Sequence, residues 1–183
     1  ISEKGNYLFI DWLDYYLENY LKNTIKQSTY VGYRTYINKH FLPAFNNLKL
    51  RNLSPKLLQE FYNFKYEDGL SPKTLRNINM FLHKALQQAC RESIIFQNAA
   101  ECIELPKRKK PDIKILTLEQ QKSLISASYK SRYGVFIRLE LVTGLRLGEL
   151  LGLRWADIDL INGNLTVNQT LNRLTKYEPS GEN

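Results

Sequence analysis

The stretch Thr143-Gly-Leu-Arg-Leu-Gly-Glu-Leu-Leu-Gly-Leu-Arg-Trp155 decides how the rest of the 183 residues are read. It puts Arg146 and Glu149 three positions apart, directly after the helix stop expected at Gly144. Side chains three apart share one helix face, so the carboxylate can orient the guanidinium. An oriented guanidinium suits a phosphate, because its planar fork of donors matches two phosphate oxygens and its charge is permanent. Such a spacing alone is as compatible with an ordinary surface ion pair. The setting argues further: Gly144, Gly148 and Gly152 interrupt a Leu-rich helix, which is costly unless a turn or a close approach requires them.

Outward from this run, composition narrows the partner. Formal charge is +8, with 43% hydrophobic and 12% aromatic residues. The chain can therefore fill a core, and its surplus base favours polyanions: DNA, RNA or an anionic membrane surface. No apolar run approaches the length of a membrane span and no secretory leader is seen, so the expected location is the cytoplasm. Cys90 and Cys102 lack metal-ligand company and read as reduced thiols. The chain opens on Ile1 and closes in a polar stretch, and is read as a piece of something longer.

Upstream, the pattern predicts a helix over Tyr7 to Lys22, with Ile10, Leu13, Leu17, Tyr20 and Leu21 at helical spacing. A second helix is expected from a Ser28 cap to about Phe41, with Tyr33 and Ile37 inward, and with Pro43 and the Asn46-Asn47 pair breaking it. Ser54-Pro55 and Ser71-Pro72 each pair a cap with a proline at the first helical position. They predict helices over roughly 55–68 and 72–93, the latter carrying the stripe Leu75, Ile78, Leu82, Leu86 and Ala89.

Between Leu105 and Ile115 the cations Lys107, Arg108, Lys109, Lys110 and Lys114 stand against Asp112, bracketed by Pro106 and Pro111. Such a segment packs no core and reads as an extended linker. Beyond it, Thr117 and Gln120 form a capping box. Helices to about Tyr129 and from about Tyr133 to Thr143 follow. After Trp155 the period changes to that of a hairpin: Ile158 and Leu160, a turn at Asn162-Gly163-Asn164, then Leu165, Val167 and Leu171. A lone hairpin needs more strands to be stable.

The run from Thr143 to Leu160 resembles the first catalytic box of the tyrosine recombinases, the phage and conjugative-transposon integrases. Thr29-Tyr-Val-Gly-Tyr33, Leu53-Ser-Pro-Lys56, Gly69-Leu-Ser-Pro-Lys-Thr-Leu75 and Leu116-Thr-Leu-Glu-Gln120 resemble pieces of the same family, in the same order. The flavour is that of integrases from Gram-positive mobile elements. The resemblance implies a mostly α chain: a four-helix SAM-like core-binding domain over 1–103, a basic linker over 104–115, and over 116–183 the first part of an α+β catalytic domain. It implies strand exchange through a covalent 3′-phosphotyrosine, with no metal, nucleotide or other cofactor. Arg146 would bind the scissile phosphate and Glu149 would support it. The family's later boxes are not seen. Tyr177 comes only 31 residues after Arg146 (177 minus 146), before any second arginine box, and is read as a loop aromatic. The nucleophilic tyrosine is thus expected outside these residues, and the 183 residues are expected to bind DNA without cleaving it.

Further candidate contacts follow. Lys73, Thr74, Arg76 and Asn77 sit at the start of the Ser71 helix, where an N-terminus favours phosphate. Lys107, Arg108, Lys109 and Lys110 would track a backbone without reading sequence. Tyr30 and Arg34 form another candidate pair, with core edge and surface charge as the competing reading. Lys176 is a candidate for the family's lysine. Asn98-Ala99-Ala100 replaces an Asn-Pro-Ala and is expected to loosen the exit into the linker. The expected partner is double-stranded DNA, in a bacterial cytoplasm, with self-association of the complete protein on it; no membrane and no small-molecule substrate is expected. The alternative is a non-catalytic DNA-binding regulator of the same fold.

Overall fold

The computed structural model describes residues 7–107 and 114–171, which fall into two compact units divided in the basic segment. In the first unit, α1 (Phe9–Tyr16) passes into a wide π turn, Leu17–Leu21. Helix α2 (Gln27–Tyr36) passes likewise into Ile37–Phe41 and on into the short α3 (Leu42–Phe45). Helices α4 (Pro55–Glu67) and α5 (Pro72–Arg91) complete a four-helix arrangement of the expected class.

Two local expectations about the second helix are corrected. Its cap position is Lys26, not Ser28, and Lys26 makes no side-chain cap bond. Pro43 does not break the helix but opens α3. The π turn explains this, since the Leu42 N–H reaches back five residues to the Ile37 carbonyl. The helix restarts there, and proline is tolerated in a first turn because its missing N–H is not needed.

The serine caps behave as their chemistry dictates. Ser54 Oγ accepts from the Leu57 N–H at 3.2 Å and Ser71 Oγ from the Thr74 N–H at 3.1 Å. The five stripe residues of α5 are all fully buried, joined by Phe81 and Ala85. Trp12 lies at the centre, fully buried, and its indole N–H donates to the Ala85 carbonyl at 2.9 Å. That bond fixes α1 against α5. The chain entering α1 is held by the Phe9 N–H on the Leu48 carbonyl (2.8 Å) and the Leu50 N–H on the Tyr7 carbonyl (2.9 Å). Each fully buried large apolar side chain contributes about 1.5–3 kcal/mol of transfer free energy.

The exit from α5 is not loosened as expected. Ala99 and Ala100 are buried in the core. The Asn98 amide donates to the His83 carbonyl at 3.0 Å, and its oxygen accepts from the Ala100 N–H at 3.0 Å. Asn98 therefore does locally what a proline would do by stiffness.

The second unit holds α6 (Leu118–Ser128), α7 (Gly134–Thr143), α8 (Leu147–Gly152) and a hairpin of β1 (Ile158–Asp159) and β2 (Asn164–Leu165). Ile158 pairs with Leu165 and Asp159 with Asn164, antiparallel. The Thr117–Gln120 capping box forms in both directions, at 2.9 and 3.3 Å. Gly144 takes the left-handed conformation (φ 68°) that closes α7. Gly148 and Gly152 permit a close approach: the Leu171 N–H donates to the Gly148 carbonyl at 2.8 Å and the Gln169 side chain to the Gly152 carbonyl at 2.7 Å. A Cβ on Gly148 would lie 2.8 Å from the Thr170 methyl carbon. Among the described residues of this unit, Leu150 is the one large aliphatic side chain that is buried. Leu118, Val135, Val142, Leu147 and Trp155 all stand largely exposed.

Candidate nucleic-acid interface

Arg146 precedes α8 rather than lying within it, a correction to the helical-face reading. It is the extended N-cap residue (φ −70°, ψ 149°), and Glu149 is the third residue of the helix. The carboxylate turns back and accepts from the Arg146 backbone N–H at 2.9 Å and from its Nη1 at 3.0 Å. One acid thus holds the arginine at its root and at its tip. The Arg146 backbone bond first, and the side-chain bond second, hold the Glu149 carboxyl below the usual carboxylate range. Glu149 also sits in the first turn, where negative charge is favourable. The Arg146 side chain is 86% exposed, and Glu149 takes the only bond from it among the described residues. An exposed pair of this kind adds little to stability. Its value lies instead in presenting oriented donors to solvent, an arrangement that accepts an anion at little further entropic cost.

A second arginine cluster eight residues on was missed by sequence reasoning. Arg154 donates to both oxygens of Asp157, from Nε at 3.1 Å and from Nη2 at 3.0 Å. Its backbone N–H adds a bond at 3.0 Å, and Asn168 Nδ2 one at 2.8 Å. The Thr166 N–H donates to the Asp157 carbonyl at 2.9 Å. Asp157 therefore ties the turn after α8 to the hairpin's second arm. The signal was present: Arg154-x-x-Asp157 repeats the spacing of Arg146-x-x-Glu149.

Bonds from Arg154 first and Asn168 next hold the Asp157 carboxyl far below its usual range. A depressed carboxyl stabilises the fold fully above the ordinary aspartate pKa of about 3.9 and loses that contribution as pH falls toward its lowered value. The Thr166 amide is accordingly expected to stay protected from hydrogen exchange down to pH 4 and to lose protection in stronger acid. Asp157→Ala should lose that protection at neutral pH. A Thr166 amide that exchanges equally fast in wild type and variant would remove Asp157 from this role.

In the first unit, Lys73 and Arg76 are exposed near the start of α5, with Thr74 and Asn77 half-buried. The Thr74 hydroxyl pairs with Ser71 Oγ at 2.9 Å. Arg76 Nη2 donates to the Pro106 carbonyl at 3.1 Å, and Lys107 follows, exposed. Arg108, Lys109, Lys110 and Lys176 lie outside the described residues. Tyr30 and Arg34 are engaged elsewhere. Arg34 donates to Asp14 and Glu18 on the first helix and its π turn, and the Tyr30 hydroxyl donates to Glu18. With its side chain only 20% exposed, Arg34 joins α2 to α1 and offers little to a ligand.

The family model "Phage integrase, N-terminal SAM-like domain" matches residues 8–66, and the model "Phage integrase family" matches residues 114–181. An integrase of Saccharopolyspora erythraea is 26% identical over 178 residues, covering 96% of this chain and 41% of its own length. The ICEBs1 integrase of Bacillus subtilis (strain 168) is 29% identical over 138 residues, covering 74% of this chain and 38% of that protein. The chain thus spans less than half the length of these relatives. Among solved structures, the Tn1549 transposon integrase in complex with circular intermediate DNA superimposes with a TM-score of 0.79 at 23% identity, covering 91% of this chain and 56% of that one. A lambda integrase tetramer bound to a Holliday junction gives 0.76 at 23% identity, covering 87% of this chain and 47% of that one. At these identities the structural likeness speaks for the fold.

Proposed function

The chain belongs to the phage integrase family, and from that premise we propose that it is the DNA-binding part and first catalytic box of a site-specific tyrosine recombinase. The observation that carries this reading is the Arg146 guanidinium, braced by Glu149 and presented to solvent. Arg146 is the clamp for the scissile phosphate of duplex DNA, and Glu149 its brace. Attack on a phosphodiester builds negative charge on the phosphate oxygens, which a preorganised cation stabilises. The attacking group is a tyrosine, and the two successive transesterifications keep the bond energy in a protein–DNA link. These 183 residues bind DNA, and the attacking tyrosine is assigned to the complete protein.

Lys73, Thr74, Arg76 and Asn77, with Lys107 and the cations that follow it, supply phosphate contacts that give affinity without choosing sequence. The complete protein acts in a bacterial cytoplasm, moves a mobile element and self-associates on its DNA sites. Among the described residues no helix is long and apolar enough to cross a membrane.

Fluorescence anisotropy against duplex DNA, single strands and hairpin RNA tests the binding. Duplex DNA should bind best, and log affinity should fall with log salt at a slope near −0.9 per phosphate contacted. Lys73→Ala and Lys107→Ala should each reduce the slope by about 1. A flat salt response, or a preference for hairpin RNA, would refute the proposal.

A further inference from the structure

The segment read from composition as the start of a free linker is fastened to the helical bundle. Gln59 on α4 pairs with the peptide of Glu104, 45 positions away, as one strand pairs with another. Its Oε1 accepts from the Glu104 N–H at 2.9 Å, and its Nε2 donates to the Glu104 carbonyl at 2.9 Å. The Asn63 side-chain oxygen, one turn along α4, takes a bond from the same Nε2 at 3.0 Å and so orients the amide. Two residues on, Arg76 of α5 holds the Pro106 carbonyl at 3.1 Å. Ile103 and Leu105, on either side of Glu104, pack against the bundle's apolar core. Two helices and two kinds of contact therefore hold residues 103–106, and the cations begin at once afterwards, with Lys107 exposed.

We propose that Gln59 and Arg76 are positioning residues that clip Glu104 and Pro106 to helices α4 and α5, fixing the point from which the cationic run starts. A run of cations on a free tether would give up conformational entropy each time it settled along a phosphate backbone. A run whose first residue is already anchored gives up less, so the clip raises DNA affinity without touching DNA. Arg76 thereby acquires a role beyond that of a phosphate contact. The DNA part of this inference rests on the function proposed above.

Gln59 is the residue to test, because it is uncharged and its loss removes no cation. In Gln59→Leu, hydrogen exchange at the Glu104 amide should accelerate roughly tenfold, the change expected for one lost hydrogen-bonded pair. Duplex affinity should fall about threefold or more at fixed salt, measured well below the melting temperature so that the first unit stays folded. In a background with Lys107, Arg108, Lys109 and Lys110 all changed to alanine, Gln59→Leu should cost no further affinity. Such non-additivity is the mark of a residue acting through others. An unchanged Glu104 exchange rate would overturn the clip. Faster exchange with unchanged affinity, or an equal loss in the alanine background, would overturn its role in binding. A wild-type chain without salt-dependent duplex affinity would instead refute the proposed function and the DNA role together, while Glu104 exchange would still report on the clip itself.

Discussion

Changing Arg146 to alanine in the complete protein is expected to lower the rate of covalent protein–DNA adduct formation by a factor of at least 10²–10³, the loss seen when one preorganised donor is removed from a developing oxyanion. Binding should change far less, because Arg146 is proposed to supply one phosphate contact among several. Two features of the geometry set this asymmetry. The guanidinium is bonded to Glu149 and to nothing else among the described residues, so its removal leaves the surrounding fold intact. Its side chain is 86% exposed, so no cavity is left. Arg146→Lys should recover only part of the rate, since an ammonium keeps the charge but not the planar fork. The measurement is adduct yield over time on a nicked duplex, resolved on a denaturing gel, beside an equilibrium binding curve. Adduct formation at the normal rate by the alanine variant would show that the phosphate is held by other groups.

Trp12→Ala should have the largest effect on folding. The side chain is fully buried, edges onto Tyr7 at 6.0 Å between ring centroids and anchors α1 to α5 through the Ala85 carbonyl. Truncating such a residue costs about 3–5 kcal/mol, a large share of the 5–15 kcal/mol that holds a typical domain together. At roughly 4–8 °C per kcal/mol for a unit of this size, the melting temperature should fall by about 12–40 °C. Circular dichroism at 222 nm reports it. Trp12→Phe should lose less, since most of the apolar volume stays and only the indole bond is forfeited. A fall of a few degrees for the alanine variant would mean that this side chain is not the keystone its burial implies.

What could be read in advance was local chemistry. A serine followed by proline opens α4 and α5 because cap and ring act within one turn. The Thr117 box, the left-handed Gly144 and the stripe on α5 are likewise decided by near neighbours. Arg146 and Glu149 were found, but their arrangement was not. A spacing of three fits one helix face and also fits an N-cap with its third helical residue, and only the backbone angles separate the two. The π turns at Leu17–Leu21 and Ile37–Phe41 were hidden, because one extra residue per turn shifts an apolar pattern too little to show in so short a window. That is why Pro43 read as a stop. The Gln59–Glu104 pairing spans 45 positions and joins a polar side chain to a backbone amide, a contact that leaves no mark on hydrophobic period. The basic run beside it pointed to a free tether, and the anchoring aliphatics Ile103 and Leu105 lay just before it.

The near-empty interior of the second unit bears on any sizing experiment. Leu118, Val135, Val142 and Leu147 each offer greasy surface to whatever is nearby, and where exposed apolar side chains join they adhere to one another as readily as to a true counterpart. Oligomers formed without DNA would therefore report indiscriminate stickiness, and only complexes whose stoichiometry tracks the DNA supplied would report on the proposed assembly on DNA.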